Sequence, residues 1–409
     1  MRVRSVTVGT NASYPLDVGP FEGFEAFQRQ ARTQFQEAGL EVQTVRLATQ
    51  PFPAVLGAHA ASEAVAFAQA LEALCQRHGI DYCSIGPVVA VRPGDYRSYI
   101  DVIPAVIRQT EVVFASVLVA SRCAGICLEA IARCAEVIDE IARSTPDGFG
   151  NLRLAVVANC GPGAPFFPVS YHQGPETSFS IATEAADLAV EAFSRATSLE
   201  DARVNLRAAI EGRAEVIEEV CRALEADFGF RYGGIDFSLA PFPETARSIG
   251  HAIERLGVAR FGSSATLFAV ALIKRAIEEA SFTACGFCGV MLPVLEDSTL
   301  AERRVDNLFT LDSLLLYSTV CGTGLDTVPL PGNVSVDELA AILLDVSTLA
   351  VVADKPLTAR LMPIPGKKAG EMTDFDFPYF ANAQIMEVRG ADASRIFEQD
   401  AVLLAALDA

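Results

Sequence analysis

Residues 317–333, YSTVCGTGLDTVPLPGN, gather a thiol, a carboxylate and a hydroxyl among glycines and prolines. The apolar run 314–320 before them reads as a buried strand that stops at Cys321. Gly322, Gly324, Pro329, Pro331 and Gly332 then predict an irregular loop rather than a helix. On this reading Cys321, Asp326 and Thr327 stand where a strand end opens into a cleft. The plain alternative is a structural connection.

Asp236 sits inside the apolar strand of IDFSLAPFPE, with Ser238 two residues on and Glu244 at its end. An ionised carboxylate there is costly unless paired or hydrogen-bonded. Asp236 is therefore a candidate general base, or else a helix cap or a salt-bridge partner. His172, in the loop PVSYHQGPE, can serve as acid or base beside a cleft, or as a structural hydrogen-bonding residue. Arg360 interrupts the apolar strand LTARLMP, within a locally basic stretch that also holds Lys355, Lys367 and Lys368. A buried guanidinium needs an anion. Its partner is either an internal carboxylate, with Asp236 or Asp326 suited, or the carboxylate or phosphate of a ligand. Strand alternation puts Thr358 and Arg360 on one face and Ala359 and Leu361 on the other.

Cys285 and Cys288 form CGFC. A redox CxxC opens a helix after a strand, whereas GVMLPVL with Pro293 follows here, so an exchanging disulfide does not fit. Cys123, Cys127 and Cys134 share one helical face and read as a core stripe, lacking a fourth metal ligand. A thiol with its free pKa of ~8.5 is mostly protonated at pH 7. Cys288 or Cys321 as a nucleophile would need Arg360 or a helix terminus to lower that value. CGTGLD lacks the third glycine of a dinucleotide fingerprint, PGKKAGE is not a phosphate loop, and neither HExxH nor GxSxG occurs.

These residues must be positioned by regular elements. Strands are expected at 3–9, 41–49, 80–91, 111–120, 152–159, 232–239, 308–320, 357–363 and 383–388, with 285–295 a strand or a buried loop. Helices are expected at 21–38, 62–78 with Ser62 as cap, 96–109, 124–142, 179–196, 198–228, 248–257, 265–280, 335–352 and 391–406. The alternation predicts parallel strands with helical crossovers, a barrel or a doubly wound sheet. One large α/β domain over 1–409 is expected, with weak half boundaries near 144–150 and 198–201. The carboxyl ends of the strands, among them GTNASYP, ATQPFP and IDFSLAPFPE, are the expected crevice.

The chain carries 51 carboxylates against 32 Lys and Arg, a formal charge of −19. That field repels phosphate backbones, which argues against nucleic acid. Hydrophobic residues make up 51% and charged residues 20%, enough for a large core and too few for disorder. The ten cysteines are too sparse for a disulfide scaffold. No signal peptide or apolar run of ~18 residues is visible, so a cytoplasmic protein without a membrane partner is expected.

IDFSLAPFPE, FCGVMLPVLED, VCGTGLDTVPLPGN, KPLTARLMPIPGKKAGE and the later FANAQIMEV together resemble segments of the domain-of-unknown-function family 711. The resemblance implies a pyruvate formate-lyase-like fold: a ten-stranded α/β barrel of two half-barrels with a loop threaded through its centre. It also implies a homodimer. It does not imply the radical chemistry of that fold. Glycyl radical enzymes carry Arg-Val-x-Gly-Tyr near the C-terminus, where this chain has EVRGADAS around Gly390. Their catalytic cysteine lies on the central loop, a place that Cys288 or Cys321 could take. The chain departs from its nearest branch at GLDT, where GLDM is usual, and at FDFPYFANA, where that branch has a Gly-rich run.

The expected function is a non-radical enzyme acting on a small anionic metabolite in a central cleft, by acid–base or thiol chemistry. Asp236 or His172 is the general base, Asp326 a second acid, and Arg360 with Lys355 the anion clamp. Ser238, Glu244, Gly322, Gly324 and Thr327 complete the expected binding set. No cofactor is predicted, and the sequence names no metal. The alternative is a non-catalytic ligand-binding or regulatory protein. An enzyme needs at least two acid–base groups in reach of one reacting atom, whereas a binding protein needs only the clamp.

Overall fold

Alternation of inward and outward side chains builds one mixed sheet, seen in a computed structural model that describes residues 1–57, 59–92, 94, 96–390 and 394–398. Its strands are β1 (Arg2–Gly9), β2 (Val42–Ala48), β3 (Tyr82–Val89), β4 (Val113–Ser121), β5 (Gly125–Ile126), β6 (Leu154–Ala158), β7 (Ser178–Glu184), β8 (Arg231–Ala240), β9 (Gly324–Pro331) and β10 (Leu357–Ile364). The order is β8-β7-β1-β2-β3-β4-β6-β10-β9, with β5 on β4. Within it β1, β2, β3, β4 and β6 run parallel. The parallel pairs β7–β8 and β9–β10 meet that block antiparallel, at β1/β7 and β6/β10.

The expected closed barrel is corrected here. The paired path is open, ending at β8 on one side and β9 on the other. Residues 283–294 lie between those ends without forming a strand. Ile235 bridges Ala284, and the Leu239 N–H donates to the Gly289 carbonyl at 3.0 Å. On the other side the Val290 N–H donates to the Cys321 carbonyl at 2.9 Å, and the Val294 N–H to that of Asp326 at 3.2 Å. Gly286 and Cys288 have positive φ, and Pro293 has no N–H, so a continuous ladder cannot form.

Helices cover the outer face. Phe24, Phe27, Ala31 and Phe35 recur at helical spacing in Phe24–Glu37 and are all buried. Fully burying one such ring contributes ~1.5–3 kcal/mol. Leu199–Phe228 is a single helix, capped by the Ser198 side chain and closed by Gly229 in the left-handed conformation. A second, smaller apolar cluster lies on the inner face, with Leu118, Val157, Phe166, Val169, Phe287 and Met291.

Some expected elements are differently formed. Residues 308–320 hold no strand: Leu311–Cys321 is a helix, opened by a Thr310–Ser313 capping box and stopped by left-handed Gly322. Leu311 and Leu314 are buried while Leu316 is exposed, as a helix with one buried face requires. The strand begins only at Gly324, inside the expected loop. The expected helix 179–196 divides into β7 and the helix Ala186–Ser194. No strand forms at 383–388, where Gln384 makes one bridge to Met372. Ser62 lies in a short turn before the helix Ala64–His78 and does not cap it. Of the expected closing helix 391–406, Ser394–Phe397 is helical and most of the rest lies outside the described residues.

Residues 160–177, between β6 and β7, run along the inner face. Thr7 Oγ1 donates to the Pro165 carbonyl at 2.8 Å, Ser84 Oγ to that of Ser170 at 2.7 Å, and the His172 N–H to that of Thr49 at 2.9 Å. The inner-facing hydroxyls of β1 and β3 thus satisfy backbone that would otherwise be buried without partners. This loop leaves from the carboxyl end of β6 and occupies the side where the crevice was expected.

Candidate functional site

A cavity of about 100 Å³ lies instead towards the amino ends of the five parallel strands. Arg4 of β1, Thr44 and Arg46 of β2, Tyr82 of β3 and Phe114 of β4 line one side. Asp326 of β9, with Thr358 and Arg360 of β10, lines the other. Phe166, Phe167, Pro168 and Val169 of the inner loop close one end, and Phe377 and Tyr379 stand at another part of the wall. These two aromatic residues come from the stretch FDFPYFANA.

Strand alternation places the charges. On β2, Val45 and Leu47 join the helix-side core, while Thr44 and Arg46 face inward. The same rule puts Thr358 and Arg360 on the inner face and Ala359 and Leu361 on the outer, as expected. Glu296 is placed by its neighbour. Asp297 accepts from the Thr299 and Leu300 N–H groups and from Ser248 Oγ, capping the helices Ser298–Val305 and Ile249–Arg255. That double cap fixes the chain direction and leaves Glu296 at the cavity wall.

Arg360 is buried and fully engaged. Its Nε donates to Asp326 Oδ1 at 2.6 Å and its Nη2 to Glu296 Oε1 at 2.8 Å. Arg4 reaches the other Glu296 oxygen at 2.5 Å, and Glu184 at 3.7 Å. Burial raises the Asp326 pKa against the pull of Arg360. Burial acts the same way on Glu296, but Arg4 and Arg360 together outweigh it and lower its pKa.

Arg46 differs. It is 8% exposed, and its Nε donates to Thr44 Oγ1 at 2.9 Å. Its guanidinium lies 5.2 Å from the Phe167 ring centre and 5.7 Å from that of Tyr82. No carboxylate among the described residues comes within salt-bridge distance of it. Asp81, just before β3, is taken by Arg32 and the Val45 N–H. Burial and then the Arg4 charge push the Arg46 pKa down to about 9, against the weaker pull of Tyr82, Asp81 and Glu296. Gln43 Nε2 and Thr358 Oγ1, also on the wall, have no hydrogen-bond partner.

Of the residues singled out from sequence, the cavity brings together Asp326 and Arg360. Asp236 lies behind the wall. It accepts from the Phe287 and Cys288 N–H groups at 2.7 and 2.8 Å and from Ser238 Oγ at 2.6 Å. Ser238 Oγ in turn accepts from the Gly289 N–H. The pair therefore anchors the CGFC turn, whose Phe287 faces the cavity. Burial pushes the Asp236 pKa up to about 6, against those three donors. The Cys288 thiol is half-buried, and burial followed by the Asp236 charge pushes it up to about 12. Cys321 is buried at a helix end beside Thr323.

The others lie elsewhere. His172 Nε2 meets the Gly174 carbonyl at 3.0 Å near Asn11 and Gln50, and burial lowers its pKa. Lys355 Nζ bonds the Thr319 carbonyl. Glu244 is exposed beside Arg247. Gly322 is a helix cap, and Gly324 allows β9 to approach β10, since a Cβ there would meet the Thr358 carbonyl oxygen at 2.2 Å. Thr327 has φ 41° at an irregularity in the β9–β10 register. Sequence reasoning missed Arg4, Arg46 and Glu296. The test applied to Arg360, a guanidinium inside an apolar strand, also picks out Arg46 in TVRLA.

A family model described as "Uncharacterised ACR (DUF711)" matches residues 1–382. A UPF0210 protein of Pyrobaculum arsenaticum is 35% identical over 354 residues, covering 82% of this chain and 76% of its own. One from Desulforudis audaxviator is 31% identical over 376 residues, covering 88% and 82%. One from Methanocaldococcus jannaschii is 29% identical over 330 residues, covering 76% and 70%.

Proposed function

The chain belongs to the DUF711 family, and from that premise, with no reaction attached to it, we propose that the inner cavity binds a small organic anion and moves a proton on it. One observation carries this reading: Arg46 is a buried guanidinium on the cavity wall with no carboxylate within salt-bridge distance among the described residues. A buried charge is retained where it meets a counter-ion, and the ligand supplies it here. Asp326 is the proton-transfer group in this proposal, oriented by its bond to Arg360. The cysteines are not part of it, since neither Cys288 nor Cys321 lines the cavity.

Calorimetric titration with small carboxylates tests the binding. Wild type should bind, and Arg46→Gln should lose binding by roughly a hundredfold, the worth of a charge-assisted hydrogen-bonded pair. Equal affinity in the two proteins would end the proposal. The second reading, binding without turnover, is favoured by Arg360 holding both Asp326 and Glu296. Exchange of ligand C–H for deuterium in D2O separates the two. Exchange lost in Asp326→Asn supports proton transfer, and no exchange in wild type supports the binding protein.

We also propose the finer fold assignment, a pyruvate formate-lyase-like pair of half-barrels whose strand pairing stays open between β8 and β9. Its support is the two strand blocks of opposite sense and the loop on their inner face. A homodimer in the cytoplasm completes the proposal. The absence of any disulfide among the described cysteines is compatible with a reducing compartment, and among the described residues no helix is long and apolar enough to cross a membrane.

A further inference from the structure

The cavity wall also restricts which anion fits. Its side chains charged at neutral pH are three guanidiniums, Arg4, Arg46 and Arg360, and two carboxylates, Glu296 and Asp326. The excess is one positive charge. Glu184, behind Arg4, is already paired with Arg247. A monoanion neutralises the cavity, whereas a dianion leaves one uncompensated negative charge beside two buried carboxylates, which is costly.

The remaining wall is largely apolar. Phe114, Phe166, Phe167, Phe287, Met291 and Phe377 line the same cavity, with the Phe167 ring centre 5.2 Å from the Arg46 guanidinium. Size limits the ligand further. A volume of about 100 Å³ is well below the ~300–1,000 Å³ of pockets that hold drug-sized ligands, which favours a small ligand. The unpartnered Gln43 Nε2 and Thr358 Oγ1 can both donate to an acceptor oxygen.

We propose that the ligand is a small monocarboxylate with an apolar body, its carboxylate on Arg46 and its body among the phenylalanine rings. This rests on the reading of the cavity as an anion site. It excludes dicarboxylates and phosphate esters as the preferred class, since a phosphate monoester carries ~1.5–2 negative charges at pH 7.

The test is calorimetric titration of the full chain with benzoate, acetate, succinate and phenyl phosphate at one ionic strength. Benzoate should bind at least roughly tenfold more tightly than acetate, because burying its ring removes apolar area from water. Succinate and phenyl phosphate should bind at least roughly tenfold more weakly than benzoate. Phenyl phosphate or succinate matching benzoate would overturn the monocarboxylate assignment while leaving the anion site standing. Acetate matching benzoate would overturn the apolar body. If no probe binds, or if Arg46→Gln binds all four as wild type does, the anion reading itself fails and takes this one with it. The ranking of probes on wild type needs no variant, so a misfolded Arg46→Gln leaves the proposal falsifiable. Arg46→Lys should restore part of the benzoate affinity.

Discussion

Two buried arginines on one cavity wall predict opposite responses to removal. Arg360→Ala leaves Asp326 and Glu296 without their shared partner. Breaking such a pair costs ~3–5 kcal/mol, so the melting temperature should fall sharply, and a fall of under a degree would contradict the pairing. Arg46→Met removes a cation that has no carboxylate within salt-bridge distance among the described residues. The empty protein should then be as stable as wild type or more so in urea denaturation, while anion binding is lost. Asp236→Asn offers one acceptor oxygen to three donors. An unmet buried N–H costs ~1–3 kcal/mol, and the same denaturation experiment should show that loss. His172 gives a pH dependence. Burial lowers its pKa from 6.5, so below that value the unfolded chain binds a proton that the folded chain does not. Its contribution is intact above pH 6.5 and is lost as pH falls towards the lowered folded value. In His172→Gln that part of the acid sensitivity should vanish from stability measured across pH 5–7.

Elements decide where the residues go, and the sequence reveals them unevenly. β2 and β10 are legible because each alternates cleanly, and alternation also tells which side chains face inward. Residues 311–321 are not, because an apolar run of this length satisfies helix and buried strand alike; the deciding signals are the Thr310–Ser313 box and Gly322, which act at the ends. The cavity's position was misread for a different reason. The rule of carboxyl ends assumes an empty crevice, and here residues 160–177 fill it, a placement that depends on hydroxyls of distant strands. Asp236 shows the limit at single positions: a buried carboxylate looks the same in sequence whether it serves a ligand or a turn. Gly324 makes the point testable. It has φ 98° and no room for a Cβ. Gly324→Ala should cost ~1–3 kcal/mol from backbone strain alone, with further loss from the clash. An alanine variant as stable as wild type that had lost anion affinity would instead return Gly324 to the ligand.

At the scale of the molecule, the two strand blocks meet antiparallel at β1/β7 and β6/β10, while their other margins are joined only through residues 283–294. Hydrogen exchange should accordingly be faster at Ala284, Gly286 and Val290 than in β1 or β4, since single bonds open more readily than ladders. Equal protection would show a continuous ladder that the geometry lacks. Gly390 is exposed and distant in kind from the cavity-lining residues, so anaerobic treatment with a radical activase should leave no glycine-centred spin signal. The joining segment has a further consequence, for solubility. It covers the free margins of β8 and β9, and uncovered margins of that sort template the addition of foreign strands. Asp236 is the clasp, because its carboxylate holds the Phe287 and Cys288 N–H groups in place. With the clasp undone, mild warming should produce light scattering while the helical circular dichroism signal is still intact, as molecules zip together margin to margin.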